Sequence, residues 1–149
     1  MKLTEHFTLA SMLRSQKATR QGYTEQFNPS AEIIACLKAL CVNVLEPIRL
    51  AVGKPIMVSS GYRCERTNKA IGSKSKNSQH LFGQAADIEI EGLNNAEIIS
   101  AIKRLDLPVD QCIEEFNEWV HVSYGPRNRK EFLKAIINKK TKETDYIPY

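Results

Sequence analysis

With one tryptophan, seven glycines and six prolines among 149 residues, the chain is neither a collagen-like repeat nor a Pro/Gly-rich disordered polymer. It has no stretch near the roughly 18 consecutive apolar residues of a membrane span, so membrane insertion is not expected. No Cys-x-x-Cys pair occurs among Cys36, Cys41, Cys64 and Cys112, which removes the commonest structural-zinc and dithiol patterns. Those cysteines are expected to be reduced and structural. Basic residues cluster only at Arg127/Arg129/Lys130 and Lys139-Lys140. Without an aromatic-interleaved basic stripe, nucleic acid is not an expected partner. The opening Met1-Lys2-Leu3-Thr4-Glu5-His6 lacks the apolar core of a signal peptide, which predicts synthesis in the cytoplasm without Sec-type export.

What is present suits one soluble domain over residues 1–149, expected as a monomer. Hydrophobic residues make up 42% and charged ones 26%, enough to build a core. The net charge of +4 mildly favours anionic partners, among them the polyanionic wall of a bacterium. Residues 1–28 read as a helical arm, with an amphipathic helix from Thr8 to about Gln21. A second helix is capped by Asn28 with Pro29 at its first position. It carries Ile33, Ile34, Leu37, Leu40, Cys41, Val44, Leu45 and Ile48 on one face. Pro47 should kink or stop it, and Gly53 closes it. Ile56–Ser60 and Ala85–Ile90 read as strands, with a short helix over Glu65–Ala70 between them. A helix capped at Asn94 or Asn95 runs to about Leu105. The strands Gln111–Phe116 and Trp119–Tyr124 are close enough to form a hairpin. A last helix is expected over roughly Arg129–Asn138, and 139–149 reads as a polar tail. The predicted class is α+β, a largely antiparallel central sheet with helices packed on one face.

Two of the three histidines stand in informative surroundings. In Ala85–Ile90 the even positions are apolar, so Asp87 points away from the core. In Trp119–Tyr124, Val120 and Val122 face the core and His121 points the other way. If both strands join one sheet, Asp87 and His121 can meet on its open face, with His80 entering from the loop that Gly83 allows to turn. Taken singly, each is an ordinary solvent-face or hydrogen-bonded residue. Together they offer two imidazoles and a carboxylate, which leave a tetrahedral zinc ion one open position, the pattern of a catalytic site. Such chemistry needs a carboxylate to carry a proton from water to the leaving amine. Glu114, Glu115 and Glu118 are the candidates, and strand parity alone does not decide between Glu114 and Glu115.

Three motifs, in order, resemble the zinc D-alanyl-D-alanine peptidases: Ser60-Gly61-Tyr62-Arg63, the Ser-x-His-x-x-Gly-x-Ala-x-Asp run from Ser78 to Asp87, and Trp119-Val120-His121-Val122-Ser123. That family has the hedgehog/DD-peptidase fold and includes carboxypeptidases, dipeptidases and phage endolysins. The opening His6-Phe7-Thr8-Leu9 is similar to its single-domain branch. The resemblance implies one Zn²⁺ held by His80, Asp87 and His121, with Arg63 on the substrate carbonyl and its developing charge. It implies Ser78 as a support for the ligand loop or a substrate contact, and His6 as structural. The Glu-x-x-His spacing of the dipeptidases ranks Glu118 first as general base, with Glu115 a near second. The implied activity is hydrolysis of peptidoglycan stem peptides, by a D-Ala-D-Ala carboxypeptidase or an endolysin-type endopeptidase. A chain without a signal peptide would then reach the cell wall after phage-type lysis. The alternative is a non-catalytic, zinc-stabilised binding module of the same fold.

Overall fold

Even-numbered side chains of two central strands and one face of a long helix account for about half of the core in the computed structural model, which describes residues 1–149. The strands are β1 (Ile56–Ser60), β2 (Ala85–Ile90), β3 (Gln111–Glu115), β4 (Trp119–Ser123), β5 (Glu131–Ile137) and β6 (Thr144–Pro148). They form one sheet in the order β1-β2-β4-β3-β5-β6. All neighbours are antiparallel except β3 and β5, which are parallel. Ala86, Ile88 and Ile90 of β2 and Val120 and Val122 of β4 are buried against the helices. Their odd-numbered neighbours line the opposite, open face.

The helix expected around residues 29–52 forms as α3 (Ala31–Leu40) and α4 (Glu46–Val52), joined by a π-turn over Cys41–Leu45. It does not stop at Pro47. Proline has no N–H for the ladder and its ring crowds the carbonyl four residues back; one widened turn absorbs both defects. The Asn43 side chain donates to the Ala39 carbonyl at 2.8 Å, adding a bond within the widened turn. Leu37, Leu40, Cys41, Val44, Leu45 and Ile48 on this helix are completely buried. Its start lies later than expected, because the Ser30 hydroxyl, not Asn28, accepts from the Ile33 N–H and caps it. Gly53 ends it in the left-handed conformation. The short helix α5 (Glu65–Ala70) and α6 (Asn95–Arg104) form where expected, α6 with a capping box of Asn94 and Glu97.

Three expectations are corrected. The helix read over Thr8–Gln21 is two, α1 (Leu9–Leu13) and α2 (Gln16–Gln21), because Ser15 caps a new start. Residues 129–138 form no helix; β5 occupies most of this span, pairing with the edge of β3 that the β3–β4 hairpin leaves open. Residues 139–149 are not merely a polar tail, since β6 returns antiparallel to β5. The N-terminal arm also contributes to the core through Leu3, Phe7, Met12 and Leu13. No helix is long and apolar enough to cross a membrane.

Candidate active site

Asp87 on β2 and His121 on β4 are direct cross-strand partners on the open face. The hydrogen-bond ladder therefore sets their separation. One Asp87 oxygen lies 3.1 Å from His121 Nδ1 and 3.4 Å from His80 Nε2. The ligating atoms of all three residues fall within 4.8 Å of one another, and all three are buried.

His80 arrives on a short 3-10 turn (Gln79–Phe82) whose ends are fixed by sequence. Ser78 caps it, its hydroxyl accepting from the His80 N–H at 3.4 Å, and so holds the start of the turn that carries His80. Gly83 leaves the turn at φ +71°, and a Cβ there would meet the Ile33 carbonyl oxygen at 2.8 Å. Only glycine meets both demands. The Ser60–Arg63 motif runs alongside. His80 Nδ1 lies 2.7 Å from the Gly61 carbonyl and donates to it, while the Arg63 N–H donates to the His80 carbonyl at 3.0 Å. The first bond fixes the tautomer and leaves Nε2 free to face Asp87. Gly61 is pressed against α1, where a Cβ would overlap the Met12 carbonyl oxygen. Gly61→Ala is therefore expected to lower the melting temperature, at a cost of about 1–3 kcal/mol. It should also weaken zinc binding roughly 10- to 100-fold by shifting the acceptor that orients His80. Thermal melts and titration against a chromophoric chelator measure the two effects.

The electrostatics of Asp87 and His80 suit ligation, whereas His121 must give up a proton to bind a metal. Burial pushes the Asp87 carboxyl up, but the two imidazoles outweigh it and hold Asp87 well below the ordinary carboxylate range. Burial pulls His80 down and keeps it neutral. His121 is pulled down by burial as well, but Asp87 and Glu115 reverse this and raise it. Three donors of nitrogen and oxygen, with no fourth His, Cys, Asp or Glu in the cluster, fit a zinc ion with a position left for water or substrate.

Of the three candidate acids, the structure brings Glu115 to this centre. Its Oε1 lies 3.6 Å from His121 Nδ1. Burial raises its pKa against the opposing pull of His121. Glu114 points to the other face, where its carboxylate accepts from the Asn117 N–H at 3.1 Å. The decisive element is the turn Glu115–Glu118, closed by a 2.9 Å bond from the Glu118 N–H to the Glu115 carbonyl. Phe116 and Asn117 both take positive φ there, +57° and +60°. Glu118, ranked first by the resemblance to the dipeptidases, is exposed on this turn and lines an outer groove with Met57, Glu89 and Leu93. Arg63 reaches the centre from the side. Burial lowers its pKa while Asp87 and Glu115 raise it, and its Nε is buried without a hydrogen-bond partner. A desolvated donor left unpaired is costly unless a ligand completes it.

Two supports carried no sequence signal. Gln26 is completely buried. Its amide donates to the carbonyls of Leu13 and Tyr62 and accepts from the Cys64 N–H, clamping the Arg63 segment. Asp110, also completely buried, accepts from Gln79 of the His80 turn at 3.0 Å and from Arg129 at 2.8 Å. These partners, Arg129 foremost, hold its carboxyl down at about 2. Arg129 and Lys130 of the basic cluster thus face carboxylates of the chain itself, Lys130 pairing with Asp106 at 3.0 Å.

The family model described as Peptidase M15 matches residues 5–123, a span that includes every residue placed at the centre above. No curated protein matches the chain in sequence.

Proposed function

We propose, proceeding from the fact that this chain belongs to the peptidase M15 family, that it hydrolyses peptidoglycan stem peptides as a monomeric D-Ala-D-Ala carboxypeptidase or endolysin-type endopeptidase. M15 peptidases are zinc-dependent metallopeptidases, and His80, Asp87 and His121 form a cluster that can bind such an ion. The observation that carries the finer reading is the company this cluster keeps: a half-buried carboxyl at 3.6 Å and a half-buried arginine whose Nε is shielded from solvent and unpaired.

His80, Asp87 and His121 would hold the zinc ion, which when bound would supply Lewis acidity to a peptide carbonyl and lower the pKa of water toward neutrality. Glu115 takes that proton and returns it to the leaving amine, a transfer its raised pKa favours. Arg63 donates to the carbonyl oxygen on which negative charge develops, from a water-poor position where such a donor acts most strongly. The chain's net charge of +4 favours approach to an anionic wall, in keeping with lysis of the phage type.

The test is a muropeptide digest by zinc-loaded protein, followed by mass spectrometry and metal analysis. About one zinc per chain is expected, with free D-alanine or severed stems released. Activity should vanish on chelation and return with zinc. Release of D-alanine alone would assign the carboxypeptidase, and internal cleavage the endopeptidase. Stoichiometric zinc without cleavage of any stem would replace this reading with the binding module.

A further inference from the structure

The β5–β6 hairpin lies beyond the residues matched by the family model, yet it extends the same open face. In register, Glu115 pairs with Trp119 on one side and Ala135 on the other, and Ala135 pairs with Tyr146. Cross-strand partners point to one face. Trp119, Glu115, Ala135 and Tyr146 therefore form a row beside the row of Asp87, His121, Ile113 and Leu133. Ala135 is completely buried between its two larger neighbours. Tyr146 keeps 56% of its surface exposed. It is a large ring with a hydroxyl, standing two strand spacings, roughly 10 Å, from the backbone of Glu115.

From this placement we infer that Tyr146 is a substrate-contacting residue, its ring forming a wall on the open face beside Glu115 and its hydroxyl donating to an oxygen of the bound peptide. The inference rests on the peptidase reading, which makes Glu115 part of the reacting centre. Burial and the Glu115 carboxyl push the phenol pKa up, so the hydroxyl remains a donor at neutral pH. The hairpin is also held in place. Arg129 is tied to Asp110 just before β5, and the Asn138 side chain donates to Asp145 at 2.9 Å across the turn. On the opposite face the Lys103 ammonium sits 5.0 Å over the Phe132 ring and 5.1 Å over the Tyr149 ring. A wall fixed in this way costs little further ordering when peptide binds.

The experiment compares the zinc-loaded full chain with Tyr146→Phe and Tyr146→Ala, using the stem pentapeptide L-Ala-D-Glu-L-Lys-D-Ala-D-Ala as probe. Steady-state kinetics, calorimetric binding and melting temperature are recorded for each. Tyr146→Phe should raise KM about three- to tenfold with kcat nearly unchanged, the loss of one hydrogen bond made equally in ground and transition states. Tyr146→Ala should raise it further, and calorimetric affinity should fall in parallel. Melting temperatures should hold for both, since the ring is exposed. Normal KM and affinity in both variants of a chain that cleaves the probe would overturn the inference and leave the peptidase reading standing. Tyr146-dependent binding without cleavage would keep the contact and overturn the peptidase reading. A chain that neither binds nor cleaves the probe would overturn both.

Discussion

Glu115→Gln is expected to lower kcat by about 10²- to 10⁴-fold, the range for removing a positioned general base, while zinc content stays at the wild-type level. Glutamine keeps the shape and the hydrogen-bonding reach of the side chain but cannot accept a proton. Glu118→Gln should stay within a few-fold of wild type. The reason is geometric: Glu115 sits 3.6 Å from His121 Nδ1, whereas Glu118 is exposed on the turn and lines the outer groove. Steady-state kinetics and metal analysis on both variants decide the matter. An inactive Glu118→Gln beside an active Glu115→Gln would restore the order that the resemblance to the dipeptidases implies.

Arg63→Ala should cost about 10²- to 10³-fold in kcat, as for other donors aimed at developing charge. Arg63→Lys should recover only part of this, because an ammonium does not reproduce the planar fork that places Nε. Zinc affinity should change little in either variant. The bond that supports His80 comes from the Arg63 backbone N–H, which both substitutions preserve. Single-turnover rates alongside a chelator titration separate the two roles of this residue. A loss of zinc equal to the loss of rate would reassign Arg63 to holding the metal turn.

Much of the centre was legible because it depends on strand parity. The alternation in Ala85–Ile90 and Trp119–Ser123 put Asp87 and His121 on one face, and the register pairs them directly. Glu114 and Glu115 could not be separated in the same way. Their parity is set by a turn holding a phenylalanine at φ +57°, a conformation that bulky residues rarely adopt and no local signal announces. The C-terminal segment misled for another reason. Glu131, Leu133, Lys134 and Ala135 are good helix formers, and their apolar neighbours suit a helix or a strand. The open edge of β3 decides, since pairing there completes a ladder that a helix would leave unmet. The break in the first helix and the late start of the next one both come from serines competing as caps.

The pairing of Asp87 with His121 has a mechanical consequence. Two of the three jaws that would grip the ion are welded to the two ends of one rung of a sheet, and their gap can hardly change without tearing the ladder. The third jaw, His80, rides on a four-residue turn tethered by Gly61, Ser78 and the Asp110–Gln79 contact. Adjustment of grip, whether by mutation or by thermal motion, therefore falls on that sliding jaw and the tethers behind it.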